Sequence, residues 1–399
     1  MSRWLLPEGI EELTSVQAKV VETLRRQLLD VFDNWGYELI LPPLVEYTDS
    51  LLTGLGAGLD EKTIKVTDQV TGRSMGLRAD ISPQAARIDA RHAAQNQTNQ
   101  VNRLCYSGTV IHAKPEMALS SRAPIQIGAE LFGVEGADAD LEIILLMISA
   151  LTLATEEKLT LELGHVGISR WLREECEARS WCYEEIQSLI QSKRLPELDQ
   201  RLADCRVEDE PFAKQLRALP RLLGGVKVLD SARELFSDVS GVLEGLDVLS
   251  RLADQLNSLT PDVTLFFDLG EMRGSNYHTG VVFSAFAEVR GAVRRIANGG
   301  RYDNVGKAFG QSRAATGFSA DLKTLARISH SVPAEKFSVY APISNEPGFW
   351  DAVAELREDA VRVILGQDSD NVSVAAEECQ QQLHYLDGRW QLQPLSSDF

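Results

Sequence analysis

The sequence predicts an α+β fold carrying a helical insertion and a small C-terminal α/β unit. Three observations point to it. Strand-like and helix-like segments fill the chain to residue 163 and resume at Val263–Asp268. Between them, from Ile168 to Leu259, the pattern is almost wholly helical and rich in Arg, Glu and Asp, as an inserted module would be. From Ser331 onward short strands and helices return in a segment with 4 Lys/Arg against 12 Asp/Glu. The reading is one domain over 1–330, with its insertion at about 168–259, and a small acidic domain over 331–399.

Residues 1–13 read as an extended lead-in. Thr14 and Gln17 form a capping-box pattern. Val16, Val20, Leu24, Leu28, Val31 and Trp35 then mark a helical stripe that Gly36 ends. Tyr37–Leu41 is strand-like, and Pro42-Pro43 stops its pairing. The run from Gly54 to Gly58 superficially matches a nucleotide-binding glycine loop, but it does not sit between a strand and a helix, so it reads as a mobile loop. Ile64–Gln69 and Ser74–Arg78 form a hairpin. Ser82-Pro83 starts a helix over 83–95, with Ser82 as N-cap and Pro83 at the first helical position.

Asn102–His112 and Pro124–Val134 read as strands. In the second, Ile125, Ile127, Ala129 and Leu131 share one face, and Gln126, Gly128 and Glu130 share the other. Gly128 leaves a gap between two polar side chains where a ligand could lie. Taken alone, the strand leaves a solvated face and a pocket face both open. Residues 138–157 form a long apolar helix, Leu159–Leu163 a strand, and 314–327 a closing helix or strand plus helix. In the last unit, KFSVYAP and VRVILG are strands, GFWDAVAELRED and SVAAEECQQQ helices, and HYLDGRWQLQ a hairpin around Asp387-Gly388.

Composition bounds the function. The 399 residues exceed one ordinary core. A net charge of −18 argues against an extended surface for phosphate backbones. Five cysteines, none in a CxxC, read as free thiols of a reducing cytosol, with no zinc site or disulfide framework. The N-terminus has no signal-peptide run. The longest apolar run, Ile143–Ala154, is interrupted by Ser149 and Thr152 and reads as a buried helix, so no membrane span is expected.

The chemistry concentrates in Asp268–Asp303. It reads as a strand end, a polar loop (Gly270–His278), an apolar strand (Thr279–Ala287), and a glycine turn carrying Arg301, Tyr302 and Asp303. Polar side chains on short loops that bracket buried strands suit a small polar ligand.

Seven segments, in order, carry a resemblance: GYELILPPLVEY, LRADIS, RLCYSGTVIHAKPE, APIQIGAELFG, MRGSNYHTG, ANGGRYDNV and ATGFSADLKTL. Together they resemble the catalytic domain of histidyl-tRNA synthetase, a class II aminoacyl-tRNA synthetase fold, over roughly residues 1–330. The resemblance implies a six- or seven-stranded antiparallel sheet flanked by helices. It also implies a homodimer built partly through the first helix and Tyr37–Leu44. It implies pocket roles as well. Asp80 and Ser82 stand where the family holds the amino group of histidine. Gln126 and Glu130 match its sheet-borne Gln and Glu, and Arg273, Tyr277 and His278 match its Arg-x-x-x-Tyr-Tyr loop, with His278 in place of the second tyrosine. Tyr302 matches the tyrosine after the glycines. Carboxylates suit an ammonium or imidazole N–H, and an arginine suits a carboxylate.

The departures imply a different role. Adenylate formation needs cations on the ATP phosphates. Here His112 and Thr324 stand where the family places arginines. Asp321 replaces a glycine and Lys323 a glutamate, while Lys114 is a partial substitute at best. The C-terminal unit is too short and acidic for reading tRNA. This combination resembles the regulatory subunits of ATP phosphoribosyltransferase. That resemblance implies a non-catalytic cytoplasmic protein without a cofactor, assembled in a hetero-octamer with the short-form catalytic subunit. It further implies activation of that subunit and feedback inhibition by histidine, which makes histidine a candidate ligand. Two other readings stay open at this stage: a divergent histidyl-tRNA synthetase, and a free-standing histidine-binding sensor.

Overall fold

A computed structural model of the chain describes residues 5–51, 57–96, 100–115, 121–205, 210–272, 277–289, 291–310, 312–329, 337–366 and 379–395. The chain divides into two compact units, Met1–Ser331 and Val332–Phe399.

The first unit opens with α1 (Ser15–Asn34). Its capping box is present, with Thr14 N–H donating to Gln17 Oε1 at 2.9 Å. The buried stripe is Val21, Leu24, Leu28 and Phe32, and Val16 is exposed. Leu24 and Leu28 of the expected stripe are thus buried, Val31 and Trp35 pack against the same core, and Phe32 joins them by reaching the edge of Phe318 on the sheet, 5.9 Å between ring centroids. Gly36 ends the helix at φ +82°. Then follow β1 (Glu38–Leu39), β2 (Val45–Tyr47), α2 (Thr48–Leu51), α3 (Ala57–Lys62), β3 (Ile64–Thr67) and β4 (Ser74–Leu77). The strands β2, β4 and β3 form a small antiparallel sheet. The glycine run at 54–58 lies largely outside the described residues, but its end is corrected from loop to helix, since Ala57 and Gly58 open α3.

Next come α4 (Ser82–Asn96), β5 (Asn102–Thr109), β6 (Ile125–Phe132), α5 (Ala137–Ala154) and β7 (Thr160–His165). The insertion supplies α6 (Gly167–Ala178), α7 (Tyr183–Gln191), α8 (Leu195–Asp204), α9 (Pro211–Ala218), β8 (Leu223–Gly224), α10 (Lys227–Leu235) and α11 (Ser240–Leu259). The unit closes with β9 (Thr264–Asp268), β10 (Val281–Val289), β11 (Ala292–Arg301), β12 (Ala315–Asp321) and α12 (Leu322–Ile328).

The main sheet has nine strands in the order β1-β5-β6-β12-β11-β10-β7-β9-β8. Its centre is antiparallel, but β1 runs parallel to β5 and β7 parallel to β9. Parallel neighbours need a long crossover, and the helical insertion is the one that joins β7 to β9. The sheet is thus wider than expected and mixed at both ends. One face packs α1, α5, α11 and α12 into a single apolar core that includes Leu24, Ile143, Met147, Leu161, Leu249 and Phe318.

The second unit has a four-stranded sheet, order β14-β13-β15-β16, from β13 (Ser338–Pro342), β14 (Arg362–Gly366), β15 (Gln381–Leu386) and β16 (Arg389–Pro394). The helix α13 (Phe349–Glu358) packs Phe349 and Val353 against Val339, Ala341 and Leu383. The β15–β16 hairpin turns at Asp387 and Gly388, both with positive φ. Most of the SVAAEECQQQ helix expected from sequence lies outside the described residues, but its last residues, Gln381 and Gln382, are strand, paired with β13 and β16. Among the described residues no helix is long and apolar enough to cross a membrane, and all five cysteines are free.

Candidate functional site

The second face of the main sheet, away from the helical core, carries the polar side chains. Strand alternation decides this for β6: Ile127, Ala129 and Leu131 enter the core, and Gln126, Gly128 and Glu130 point the other way. That face is not solvated, since Glu130 is 1% exposed. Tyr106 on β5 donates its hydroxyl to Glu130 Oε1 at 2.9 Å, and Tyr302 donates to Oε2. Ser82 Oγ lies 3.0 Å from the Tyr106 hydroxyl. Burial pushes the Glu130 carboxyl up to about 7, against the hydroxyls that favour its charged form. Burial, and after it the charge of Glu130, drives the hydroxyls of Tyr106 and Tyr302 well above their ordinary range.

Gly128 leaves no ligand space. It stands between β5 and β12, and a Cβ there would meet the Phe318 carbonyl at 2.3 Å and the Tyr106 hydroxyl at 2.8 Å, so the gap expected from sequence is filled by the two neighbouring strands. Gly317 on β12 stands opposite Glu130 and makes room for its carboxylate. Gly108 does the same for the buried Arg78, whose guanidinium donates to Thr109 O at 3.0 Å and Pro42 O at 2.7 Å.

Asp80 precedes α4. Its Oδ1 accepts from Ser82 N–H at 3.0 Å and from Gln126 Nε2 at 2.8 Å, while Gln126 Oε1 accepts from Ile81 N–H at 2.8 Å. The expected N-cap role of Ser82 is therefore corrected: Ile81 O takes the first helical bond from Ala85, and Ser82 is already inside the helix. Asp80 caps the amide, which frees the Ser82 hydroxyl for Tyr106.

The expected glycine turn is also corrected. Gly299 and Gly300 lie inside β11, paired on both sides. They are glycines because other groups press on them. A Cβ on Gly299 would meet the Phe283 ring at 2.6 Å, and one on Gly300 would meet the His278 imidazole at 2.6 Å. Arg301 ends the strand and clamps α5, with Nε 3.1 Å from Asp140 Oδ2 and Nη2 2.8 Å from Gly136 O. Asp303 accepts from Thr279 Oγ1 at 2.8 Å.

Tyr302 stacks on Tyr277 at 5.3 Å between centroids, and His278 meets Tyr277 edge-on at 5.3 Å. The Tyr277 hydroxyl is buried and has no hydrogen-bond partner among the described residues. Burial foremost, with the Asp80 and Glu130 charges, holds it well above its ordinary range. Arg273 lies outside the described residues. The structure thus brings Asp80, Ser82, Gln126, Glu130, Tyr277, His278 and Tyr302 to one side of the sheet. Sequence reasoning missed Tyr106 and Gly317, whose signal is register.

The second group of residues lies at the ends of β4, β5 and β12. His112 Nε2 is 3.0 Å from Ala79 O. Asp321 caps α12, accepting from Lys323 N–H at 3.2 Å, and also takes the Thr324 hydroxyl at 2.7 Å. Lys323 is 6% exposed, with Nζ 3.5 Å from Glu11. Arg122 Nε donates to His112 O at 3.0 Å. Each of these groups has a partner within the chain: His112 the Ala79 carbonyl and Arg122, Lys323 the Glu11 carboxylate, and Thr324 the Asp321 carboxylate.

This sheet, with the main helical core on one face and on the other a buried polar cluster beside α4, whose Ala85 and Ala86 pack with Leu104, Phe132 and Tyr302, defines a class II aminoacyl-tRNA synthetase-like protein. The family model described as Histidyl-tRNA synthetase matches residues 9–325, and that described as ATP phosphoribosyltransferase subunit HisZ C-terminal domain matches 336–393. An ATP phosphoribosyltransferase regulatory subunit of Stutzerimonas stutzeri is 44% identical, covering 100% of this chain and 99% of its own length. One of Alkalilimnicola ehrlichii is 45% identical, covering 99% and 98%. The chain belongs to the family of ATP phosphoribosyltransferase regulatory subunits. Among solved structures, an ATP phosphoribosyltransferase regulatory subunit/histidyl-tRNA synthetase from Bacillus halodurans has a TM-score of 0.81 at 24% identity, covering 96% of this chain and 99% of that one. A chain of the ATP phosphoribosyl transferase (HisG:HisZ) complex from Thermotoga maritima has a TM-score of 0.57 at 15% identity, covering 78% and 98%. These two likenesses speak for the fold.

Proposed function

We propose that the chain is a non-catalytic subunit that activates the short-form ATP phosphoribosyltransferase and transmits inhibition by histidine. The carrying observation is near-full-length identity to regulatory subunits across both units. Phosphoribosyl transfer takes place on the partner. The loss of ATP activation is supported by the engagement of these positions within the chain: His112 at the Ala79 carbonyl, Thr324 at Asp321 and Lys323 at Glu11. A cation that already faces an acid contributes little to a growing phosphate charge.

The assembly is a cytoplasmic hetero-octamer with the catalytic subunit, without tRNA or membrane. Within it this chain pairs as a homodimer through α1 and the Tyr37–Leu44 edge, where Leu39, Leu41 and Leu44 are exposed. The domain reading is 1–330, with the insertion at 168–259, and 331–399. Histidine, the candidate ligand, meets Asp80, Ser82, Gln126, Glu130, Arg273, Tyr277, His278 and Tyr302. The Tyr277 hydroxyl, beside two acids and without a hydrogen-bond partner among the described residues, favours a ligand with both donor and acceptor groups.

The test mixes the purified chain with a short-form catalytic subunit. Turnover of phosphoribosyl transfer rises, the two co-elute, and histidine suppresses the gain. Unchanged turnover without co-elution overturns the proposal. Histidine sensitivity that persists when the Glu130 cluster is disrupted moves the inhibitor site elsewhere.

A further inference from the structure

The small sheet of β2, β4 and β3 has two unlike faces, and register sorts its side chains between them. Val45, Leu77 and Ile64 stand opposite one another in one row, and Tyr47, Met75 and Val66 stand in another. Residues two apart on a strand share a face, so both rows lie on the same side of the sheet. Glu46, Gly76 and Lys65 form the row between them and point the other way.

That other face is closed. A Cβ on Gly76 would meet Leu51 of α2 at 2.8 Å. The Glu46 side chain, 8% exposed, pairs with Arg87 on α4, whose Nη2 lies 2.6 Å from its Oε1. This buried pair fixes which way β2 faces, and so turns Val45 and Tyr47 outward.

The apolar face is open. Val45 is 37% and Val66 40% exposed, and Tyr47, Ile64, Met75 and Leu77 are half-buried. None of the six belongs to a hydrophobic core formed among the described residues. At one corner the Arg73 guanidinium lies 3.7 Å over the Tyr47 ring. The apolar surface also continues beyond the sheet, because exposed Leu44 directly precedes Val45 and exposed Leu41 lies just before the two prolines. Arg78 locks the parts together, donating to Pro42 O at 2.7 Å and to Thr109 O on β5 at 3.0 Å.

We propose that this sheet face seats a second copy of the chain, continuing the pairing through α1 and the Tyr37–Leu44 edge, on which the inference rests. Two grounds select a second copy. With a net charge of −18, copies of the chain repel wherever their acids meet, and the two apolar rows carry no charge. A two-fold interface uses the same patch on both partners, and an uncharged apolar face is complementary to itself. Covering it also removes an apolar patch that a lone soluble chain would leave to water.

The test is sedimentation velocity of the full chain, without the catalytic subunit, over a dilution series. The parent sediments as a dimer. Val66→Asp and Val45→Asp each raise the dimer dissociation constant at least about tenfold, the order expected when a covered valine becomes a buried charge. Val66→Thr keeps the branched shape that suits a strand and moves the constant the same way at an unchanged urea midpoint. Val293→Asp, at a valine of β11 that is 74% exposed, leaves the constant as it was. Hydrogen exchange over 64–77 in the parent slows above the dissociation constant, a reading that needs no variant. A dimer as tight in Val66→Asp and Val45→Asp as in the parent, or exchange over 64–77 that ignores concentration, overturns this inference and leaves the pairing through α1 and the Tyr37–Leu44 edge standing. A parent that is monomeric throughout the series overturns both.

Discussion

Glu130 and Gly317 stand directly opposite each other on β6 and β12, and the carboxylate of one occupies the space where a side chain of the other would begin. The buried acid is possible only beside that glycine. Gly317→Ala should therefore expel or compress Glu130 and destabilise the chain by about 1–3 kcal/mol, the usual range for overpacking. Urea unfolding reads the loss. Combining it with Glu130→Ala vacates the space, so the double variant should lose less than the sum of the two singles. Strict additivity would show that the two positions do not compete.

The same acid gives a pH signature. In the folded chain Glu130 is raised from an ordinary 4.5 to about 7. The native state then binds the proton more tightly than the unfolded chain between those values. Its contribution to stability is complete below about 4.5 and is lost as pH rises through about 7. Glu130→Gln removes this loss. Comparing urea unfolding at pH 5 and pH 8, the parent should fall relative to the variant by roughly 1–3 kcal/mol. Parallel pH profiles for the two proteins would contradict the assignment.

Arg301, although it sits next to Tyr302, is expected to matter for stability. Its bidentate contact with buried Asp140 joins the end of β11 to α5. Arg301→Leu leaves that carboxylate unpaired and should cost about 3–5 kcal/mol, whereas replacing both partners by Leu should cost much less. A single variant as stable as the parent in thermal and urea unfolding would mean the clamp does not hold the two elements.

Restoring one cation should not restore ATP chemistry. A guanidinium introduced by Thr324→Arg meets Asp321, which already caps α12. Histidine-dependent ATP–pyrophosphate exchange should stay at background in the parent and in Thr324→Arg. Exchange above background in the parent would make the chain an active synthetase.

Much of the architecture was legible because it depends on local rules. The Thr14–Gln17 box, the helical run between two strands, the alternation of Ile125–Leu131 and the Asp387-Gly388 turn each have a short-range cause. What was hidden depends on register. Nothing local says that Tyr106 faces Gly128 or that β1 and β7 have parallel neighbours. Gly299-Gly300 misled for a physical reason: glycine serves both a turn and close approach inside a strand, and the neighbours that decide between them, the Gly317 carbonyl and the rings of Phe283 and His278, are distant in sequence. In the first helix the stripe through Leu24 and Leu28 was legible, but the burial of Phe32 was not, since it depends on Phe318 across the core.

Three glycines on this sheet each hold open a volume that a side chain distant in sequence fills: Gly108 for Arg78, Gly300 for His278 and Gly317 for Glu130. Each pair constrains the order in which substitutions can be accepted. The large partner can shrink first and leave a hole, but the glycine cannot grow until that has happened. Descent through this face therefore runs one way at each pair, and a chain that kept the glycines while losing their partners would be the one able to recover a roomier pocket.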